Sequence, residues 1–247
     1  MRYALIFSVL GIILAVLAID QAGRAEGVGW LLLAVEADGA LMMLALAIAF
    51  GLRAAGVDVE RRTCQTGWRM TIAVLLLPYR ALGRAALGAS GWLDREGPIN
   101  RLAPGIFIGR LPSRTTHVCL GREGIDAILN LCWEFPGPST SARGPECGHV
   151  PILDGAPPTD RQFDEAVRWV ANRRANGRCI LIHCAQGHGR TATIAAAVMV
   201  RLDLANDADD ALAKIQAVRP GARPSRTQRS ALDRYLGRSS ADRSTDS

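Results

Sequence analysis

Two long apolar stretches occupy most of the first 52 residues and limit what that part of the chain can fold into. Residues 3–19 run for 17 positions without a charge or a proline, about the minimum length of a membrane-crossing helix. Residues 28–52 form a second stretch of 25, interrupted by Glu36 and Asp38. A cleaved signal peptide is the alternative for the first stretch, but no convincing small-residue cleavage site follows it. We therefore expect residues 1–54 to form a two-helix transmembrane hairpin.

Charges around these stretches predict how the hairpin is oriented. The loop between them is mixed in charge, whereas four arginines follow the second stretch between positions 53 and 69. Positive residues favour the cytoplasmic side, so we expect both ends of the hairpin, and the rest of the chain, in the cytoplasm, with a bacterial inner membrane as the location. Glu36 and Asp38 are expected near the outer interface or paired within the hairpin, a functional role being the alternative.

The segment over residues 68–87 is apolar but differs from the first two. Pro78 breaks it, and Arg69, Arg80 and Arg84 fall on one side at about 100° per residue. This pattern indicates a helix on the membrane surface better than one that crosses it. Residues 55–96 are therefore interpreted as an amphipathic interfacial helix followed by a linker.

Charge is concentrated in the second part of the chain. The first 96 residues hold 9 of the 29 Lys and Arg and 8 of the 23 Asp and Glu, so most of the net charge of +6 lies beyond them. A basic domain suits anionic partners such as nucleic acid, acidic lipids or phosphorylated substrates. No basic run is interleaved with aromatic residues, so nucleic acid is not expected. With 49% hydrophobic and 21% charged residues, the chain is neither disordered nor collagen-like.

Residues 97–237 have the pattern of an α/β domain. Short apolar runs predict strands at 106–108, 127–131, 150–153 and 179–183, the last typical of a buried central strand. Periodic segments predict helices at 160–175, 190–202, 207–218 and 225–236, the first begun by Thr159 and ended by Asn176-Gly177. Residues 238–247, rich in Ser, Asp and Arg, are expected to be a disordered tail.

One segment carries recognisable chemistry, residues 182–191, with the sequence Ile-His-Cys-Ala-Gln-Gly-His-Gly-Arg-Thr. A predicted buried strand ends at Cys184, a five-residue loop follows, and a helix opens at Arg190 and Thr191. Converging loop N–H groups, a helix N-terminus and a guanidinium suit a phosphate group. The same field stabilises a thiolate, which would make Cys184 nucleophilic. Gly187 and Gly189 let the backbone approach a ligand closely.

This segment resembles the signature loop of the cysteine-dependent protein tyrosine phosphatase superfamily, and the short domain most resembles its dual-specificity branch. The resemblance implies that Cys184 attacks phosphorus to form a phosphocysteine and that Arg190 binds the phosphate oxygens. It further implies that Thr191 helps the thiolate leave and that His183 orients the loop and helps keep the thiol ionised. The phosphate-binding loop would comprise Ala185, Gln186, Gly187, His188, Gly189 and Arg190.

The resemblance also requires a general acid upstream of the nucleophile. Asp154 ends a predicted strand thirty residues before Cys184 and is our candidate, because a basic leaving oxygen needs a proton. A turn-forming role in Asp154-Gly155 is the structural alternative, and Asp126 and Asp160 are weaker candidates for the acid. The strand and turn at 106–112 and the region from Arg219-Pro220 to Tyr235 also resemble this branch.

Other reactive residues have simpler interpretations. The six cysteines show no CxxC pair or metal-ligand spacing and are interpreted as reduced thiols, with Cys132 and Cys179 in the core. His183, Cys184 and His188 are spaced for an anion, so no metal and no cofactor is expected. His188 either touches phosphate or faces solvent.

The sequence thus predicts a dual-specificity-phosphatase-like domain, a central sheet flanked by helices, preceded by an α-helical transmembrane hairpin. We expect a membrane-anchored phosphomonoesterase acting on phosphorylated protein. A phospholipid headgroup of the phosphatidylglycerophosphate or phosphoinositide type is the alternative substrate. Ala185 and Gln186 stand against it, where many lipid phosphatases have a basic residue. An inactive phosphate-binding scaffold is a third hypothesis.

Overall fold

The computed structural model describes residues 2–22, 29–57, 59–60, 96–112, 119–135 and 144–245. The chain divides into two compact units, Met1–Ala86 and Leu87–Ser247. The predicted surface helix at 68–87 and most of the linker after it lie outside the described residues.

The described part of the first unit consists mainly of a pair of antiparallel helices. The two apolar stretches are helical as predicted, forming α1 (Arg2–Ala22) and α2 (Gly29–Ala54). Near one end, the rings of Phe7 and Phe50 stack with centroids 5.6 Å apart. Further along, a Cβ on Gly11 would lie 3.3 Å from the Cβ of Met43, so a small residue allows the helices to approach closely.

Large apolar side chains cover the outside of this helical pair. Leu5, Ile12 and Ile19 in α1 are 68%, 64% and 75% exposed, and in the described part of the chain every exposed large hydrophobic residue belongs to α1 or α2. Among the described residues, one helix, Ala37–Ala54 within α2, is long and apolar enough to cross a membrane, and Leu5–Asp20 is a shorter apolar helix. Asp38 is half-buried, and its Oδ2 has no hydrogen-bond partner among the described residues.

A five-stranded sheet organises the second unit. Its strands are β1 (Ile99–Ala103), β2 (Ile106–Gly109), β3 (Ala127–Cys132), β4 (Glu146–Ile152) and β5 (Ile180–His183). Their order is β1-β2-β5-β3-β4, with β1 antiparallel to β2 and the other neighbours parallel. Four strands coincide with predicted ones, whereas β1 was not predicted. Its half-exposed Ile-Asn-Arg-Leu-Ala pattern is that of a short edge strand with little apolar signal.

From β4 onward the described residues form four helices: α3 (Asp160–Ala175), α4 (Gly189–Arg201), α5 (Ala208–Val218) and α6 (Arg226–Thr245). The predicted start of α3 is confirmed, because Thr159 and Gln162 form a reciprocal capping box. Its predicted end is also confirmed, with Asn176 as C-cap and Gly177 at φ +71°. The last helix differs from expectation: α6 continues to Thr245, although the sequence predicted a disordered tail from residue 238. No proline interrupts this segment after Pro224.

The main core fixes the position of the predicted site. On one face of the sheet, apolar side chains of the central strands pack against α4, of which residues 190–199 are all buried. A smaller cluster of Phe107, Leu120, Ile125, Ile128 and Leu181 covers the other face. Strand β5 is therefore buried on both faces, which fixes its carboxyl end and the residue that follows it.

Candidate active site

The loop between β5 and α4 lies at the carboxyl edge of the parallel strands. Cys184 follows β5 directly and is 3% exposed, and Arg190 is the second residue of α4. Strand β5 lies between β2 and β3, and ligands of open α/β sheets bind beyond the carboxyl ends of such central strands. The sheet order thus places the Cys-to-Arg loop where a ligand site is expected.

The backbone of this loop is turned so that three N–H groups point away from the residues that hold the loop from outside. The carbonyl of Ala185 accepts from Leu111 N–H at 3.0 Å, and the carbonyls of Gln186 and Gly187 accept from Arg219 at 2.8 and 3.0 Å. In a trans peptide the carbonyl and the next N–H point in opposite directions. The N–H groups of residues 186, 187 and 188 therefore face away from these partners. Gly187 N–H donates to Cys184 Sγ at 3.3 Å, so this face is the one on which the thiol lies.

Glycine at position 187 is required by conformation and by space. Gly187 has φ +75°, and a Cβ there would lie 2.4 Å from the carbonyl oxygen of Gly109. Both the left-handed backbone and the contact with β2 exclude a side chain. Gly189 also has a close neighbour, since its Cβ would lie 2.7 Å from Gln228 Oε1. At both predicted loop glycines, neighbouring atoms therefore lie too close for a side chain: the Gly109 carbonyl at Gly187 and the Gln228 side chain at Gly189.

Arg219 holds the outside of the loop. This side chain is wholly buried and also donates to the Gly97 carbonyl and to Asn100 Oδ1, each at 2.8 Å. It therefore links the Cys-to-Arg loop to the start of the domain. The sequence singled out Arg219 only as part of a resemblance, because nothing in its local pattern indicates contact with a loop more than thirty residues earlier.

A buried ion pair holds the guanidinium of Arg190. Its Nη1 and Nη2 donate to the two carboxylate oxygens of Glu134 at 2.8 and 2.6 Å, and Nη1 also donates to the Ile152 carbonyl at 2.9 Å. Burial lowers the pKa of Arg190, but the hydrogen bonds and charge of Glu134 outweigh it and raise that pKa well above its usual value. The sequence analysis did not single out Glu134. The signal that could have found it is its position just beyond a buried strand, because ligand sites lie at the carboxyl edge of such a sheet.

The predicted acid lies next to this arginine. Asp154 follows β4, its side chain is 64% exposed, and its Oδ1 is 2.9 Å from Arg190 Nη2. Gln228 donates to the Ala156 carbonyl at 3.2 Å and so ties the turn after Asp154 to the start of α6. The weaker candidates are engaged elsewhere: Asp126 pairs with Arg178, before the amino end of β3, and Asp160 pairs with Arg238.

His183 and Thr191, which flank the Cys-to-Arg loop in the sequence, are both buried. His183 Nδ1 lies 3.2 Å from the Cys184 carbonyl. Burial, aided by the charge of Arg190, lowers the pKa of His183 to about 4 against the opposing hydrogen bond. A neutral His183 can orient the loop, but it carries no charge at neutral pH with which to stabilise a thiolate. Thr191 is fully buried, and its hydroxyl has no hydrogen-bond partner within the described ranges.

The remaining loop residues differ in exposure. Gln186 is exposed and Ala185 is half-buried, while His188 Nε2 lies 2.9 Å from Glu96 Oε2. The described histidines, cysteines and carboxylates form no group able to hold a metal ion.

The other described thiols lie outside this loop, and Cys119, Cys147 and Cys179 are half-buried. Cys132 is fully buried, and burial raises its pKa well above the usual value. Five cysteines are free, and Cys64 lies outside the described residues. Cys132 and the half-buried Cys179 pack with the apolar clusters, as the sequence predicted for core thiols.

Comparisons with known proteins agree with this geometry. Residues 99–240 match the family described as Swiss Army Knife protein, DSP-PTPase phosphatase domain (PTP-SAK). Human dual specificity phosphatase 28 is 30% identical over 149 residues, which cover 56% of this chain and 77% of that protein.

Two solved structures illustrate the fold. Tk-PTP in its active form is 28% identical with a TM-score of 0.51, covering 57% of this chain and 97% of that one. PTPMT1 in complex with PI(5)P shares the fold at 19% identity, with a TM-score of 0.53 and coverage of 59% and 99%. The chain belongs to the DSP-PTPase phosphatase domain family, and its second unit is a phosphatase domain with the mixed α/β fold of the dual-specificity phosphatases.

Proposed function

We propose that this protein hydrolyses phosphate monoesters through a phosphocysteine at Cys184, with Arg190 binding the phosphate and Asp154 serving as general acid and base. The observation that carries the proposal is the arrangement around the Cys184 sulfur, to which Gly187 N–H donates at 3.3 Å, with the adjacent N–H groups turned away from the loop's outer hydrogen-bond partners. These donors and the N-terminus of α4 form an anion site with a nucleophile at its base.

In the first step the Cys184 thiolate attacks phosphorus in line, so that a P–S bond forms while the P–O bond to the leaving group breaks. Asp154 in its acid form gives its proton to the departing oxygen, which is otherwise too basic to leave. The inward N–H groups and Arg190 bind the non-bridging oxygens, whose charge is spread most widely in the transition state.

In the second step water attacks the phosphocysteine. Asp154, now a carboxylate, takes a proton from that water; a P–O bond forms, the P–S bond breaks, and inorganic phosphate and the Cys184 thiolate result. Thr191 supports departure of the thiolate through its hydroxyl, which is buried beside the loop and free to donate. His183 orients the loop, and Thr191 stabilises the leaving sulfur.

Arg190 is held in place before the substrate binds. Glu134 and the Ile152 carbonyl occupy both Nη1 protons and one Nη2 proton, and Asp154 lies on the same Nη2. A phosphate dianion that takes two donors of this guanidinium therefore competes with Asp154 for Nη2. Such competition would free the Asp154 carboxyl for proton transfer when substrate enters.

We further propose that α1 and α2 anchor the enzyme in a membrane, with the catalytic domain in the cytoplasm. Exposed apolar side chains along both helices have a favourable environment in lipid and an unfavourable one in water. The cytoplasmic orientation rests on the arginines that follow α2.

Phosphorylated protein is the proposed substrate. Human dual specificity protein phosphatase 12, 28% identical over 131 residues, is a relative whose name gives this class, and the exposed loop position Gln186 carries no positive charge. A phospholipid headgroup is the second candidate, since an anchored enzyme works at a lipid surface and the fold of PTPMT1 accommodates PI(5)P.

The test uses the full-length protein in bilayers with p-nitrophenyl phosphate. We expect turnover in the wild type, none in Cys184→Ser, and near wild-type turnover in Cys147→Ser, a matched change at a half-buried thiol in β4. Retained turnover in Cys184→Ser would remove Cys184 from the mechanism. Phosphotyrosine peptides compared with phosphorylated lipids in the same bilayers then decide between the two substrate classes.

A further inference from the structure

Glu96 reaches the catalytic loop from outside the segment that the family covers, which begins at residue 99. Its side chain is 13% exposed. Oε2 lies 2.9 Å from His188 Nε2, and Oε1 accepts from Gly221 N–H at 2.5 Å. One carboxylate thus joins the start of the domain, the catalytic loop and the turn between α5 and α6.

Glu96 also lies beside the arginine that holds the loop. Its Oε2 is 3.4 Å from Arg219 Nε, the same nitrogen that donates to the Gly187 carbonyl. Arg219 is wholly buried, and its hydrogen bonds to the loop, to Gly97 and to Asn100 all go to neutral oxygens. A buried cation is costly without a nearby anion, and Glu96 supplies one.

The carboxylate is ionised at neutral pH. Burial alone raises the pKa of Glu96, but the hydrogen bonds from Gly221 and His188 and the charge of Arg219 outweigh it and lower that pKa below its usual value. An ionised Glu96 accepts at both oxygens, so His188 carries its proton on Nε2 and donates.

Gly221 makes room for this contact. A Cβ at that position would lie 2.8 Å from His188 Nε2 and 3.0 Å from Glu96 Oε1. The first distance is shorter than a Cβ tolerates and the second is tight, so alanine at 221 would shift the imidazole of His188 against Glu96 without changing either charge. The chain therefore offers two independent ways to disturb the same contact.

We propose that Glu96 is a positioning residue for the catalytic loop. It fixes His188 and Arg219, and through them keeps the loop carbonyls turned outward and the N–H groups turned toward the Cys184 sulfur. This inference rests on the proposed phosphatase function of that loop. It extends the functional unit to residue 96, three residues before the segment that the family model matches.

The test measures kcat and KM for p-nitrophenyl phosphate, and Ki for inorganic phosphate, in the full-length protein. Because an error of about 1 Å in catalytic geometry can cost about 100-fold in rate, we expect Glu96→Ala to lower kcat/KM at least about tenfold and to raise the phosphate Ki. Glu96→Gln keeps one oxygen acceptor and should restore part of the loss. Gly221→Ala should act in the same direction as Glu96→Ala.

A double-mutant cycle separates the two routes to the loop. In a His188→Ala background, Glu96→Ala should lower kcat/KM by a smaller factor than it does in the wild type. The loss of kcat/KM that remains in this background measures the contribution of Glu96 through Arg219. If Glu96→Ala lowers kcat/KM by the same factor in both backgrounds, His188 has no part in the proposed positioning.

Two control variants match these changes. Glu146→Ala removes a carboxylate paired with Arg173 at the start of β4, and Gly121→Ala adds a Cβ where nothing lies within 4 Å. Both should leave kcat/KM and the phosphate Ki unchanged. Glu96→Ala and Gly221→Ala with both constants within twofold of wild type would overturn the proposal.

A binding measurement keeps the two proposals distinguishable. Calorimetric titration of Cys184→Ser with inorganic phosphate reports the loop without turnover, and we expect Glu96→Ala in that background to weaken binding. If the wild type hydrolyses nothing, the proposed function fails, while a loss of phosphate binding would still support Glu96. If Cys184→Ser binds phosphate with the same affinity with and without Glu96→Ala, the positioning role of Glu96 is refuted, whatever the outcome for the proposed function.

Discussion

Removing the negative charge of Glu134 is the perturbation whose effect the structure defines most sharply. Glu134→Gln keeps the size of the side chain and one oxygen acceptor but removes the buried carboxylate beside Arg190, so that Asp154, which is 64% exposed, is left as the carboxylate described next to that guanidinium. The side chains of this pair are 4% and 2% exposed, and two hydrogen bonds of 2.8 and 2.6 Å join them. We expect the phosphatase domain to be strongly destabilised.

The magnitude follows from burial. Breaking a buried ion pair by removing one partner costs about 3–5 kcal/mol, because the other charge stays buried and unpaired. Glu134→Ala should fall in that range, because the remaining carboxylate next to Arg190, Asp154, is 64% exposed and screened by solvent. Glu134→Gln should cost about 2–3 kcal/mol, because one charge-assisted hydrogen bond remains. At roughly 2–4 °C per kcal/mol for a domain of this size, Glu134→Ala should lower Tm by about 6–20 °C.

The assay is pulse proteolysis of the full-length protein over a urea series, which reports the fraction of the domain that is unfolded. Glu146→Gln is the matched control, since Glu146 also pairs with an arginine at 2.5 Å, but the two side chains are 34% and 26% exposed. An exposed pair of this kind contributes about 0–1 kcal/mol. Equal urea midpoints for Glu134→Gln and Glu146→Gln would refute the reasoning that burial determines the cost.

Three further predictions concern the loop, the acid and the pH dependence of stability. Gly187→Ala places a Cβ 2.4 Å from a backbone oxygen at φ +75°, so phosphate Ki and kcat/KM should both worsen by at least about tenfold; wild-type values would contradict the loop geometry. Asp154→Asn should slow alkyl phosphates far more than p-nitrophenyl phosphate, whose leaving group needs no proton, and equal slowing would exclude the acid role. Because burial holds the pKa of His183 at about 4 instead of 6.5, the unfolded chain binds the proton first, so the free energy of unfolding should fall as pH decreases from about 6.5 to 4. His183→Asn should reduce the change in the free energy of unfolding with pH, measured by urea titrations at several pH values. An unchanged pH dependence would show that other groups cause it.

Much of the domain could be predicted locally. Strand β5 is an uninterrupted apolar run, and Thr159 with Gln162 is a capping signal that needs no tertiary contact to be recognised. The edge strand β1 could not be predicted, because its residues gain their order from pairing with β2. The last helix was predicted too short, since composition alone made its polar end resemble a disordered tail.

The candidate site divides in the same way. Cys184, Arg190 and Thr191 stand in one short segment, so their spacing along the chain already indicates an anion loop. Glu134 and Arg219 are not adjacent to it in sequence. Their partners lie 56 and about 32 residues away, and a local pattern holds no information about such contacts.

The sequence by itself determined the chemistry: a strand that ends in cysteine, a glycine loop and an arginine at the start of a helix, together with two apolar helices apart from them. Only the tertiary structure decided which side chains hold that loop in shape, because burial of Arg190 and Arg219 depends on how β3, β5 and the turn after α5 pack together. A buried charge must find its partner wherever the fold brings one close, and here those partners are Glu134 and Glu96.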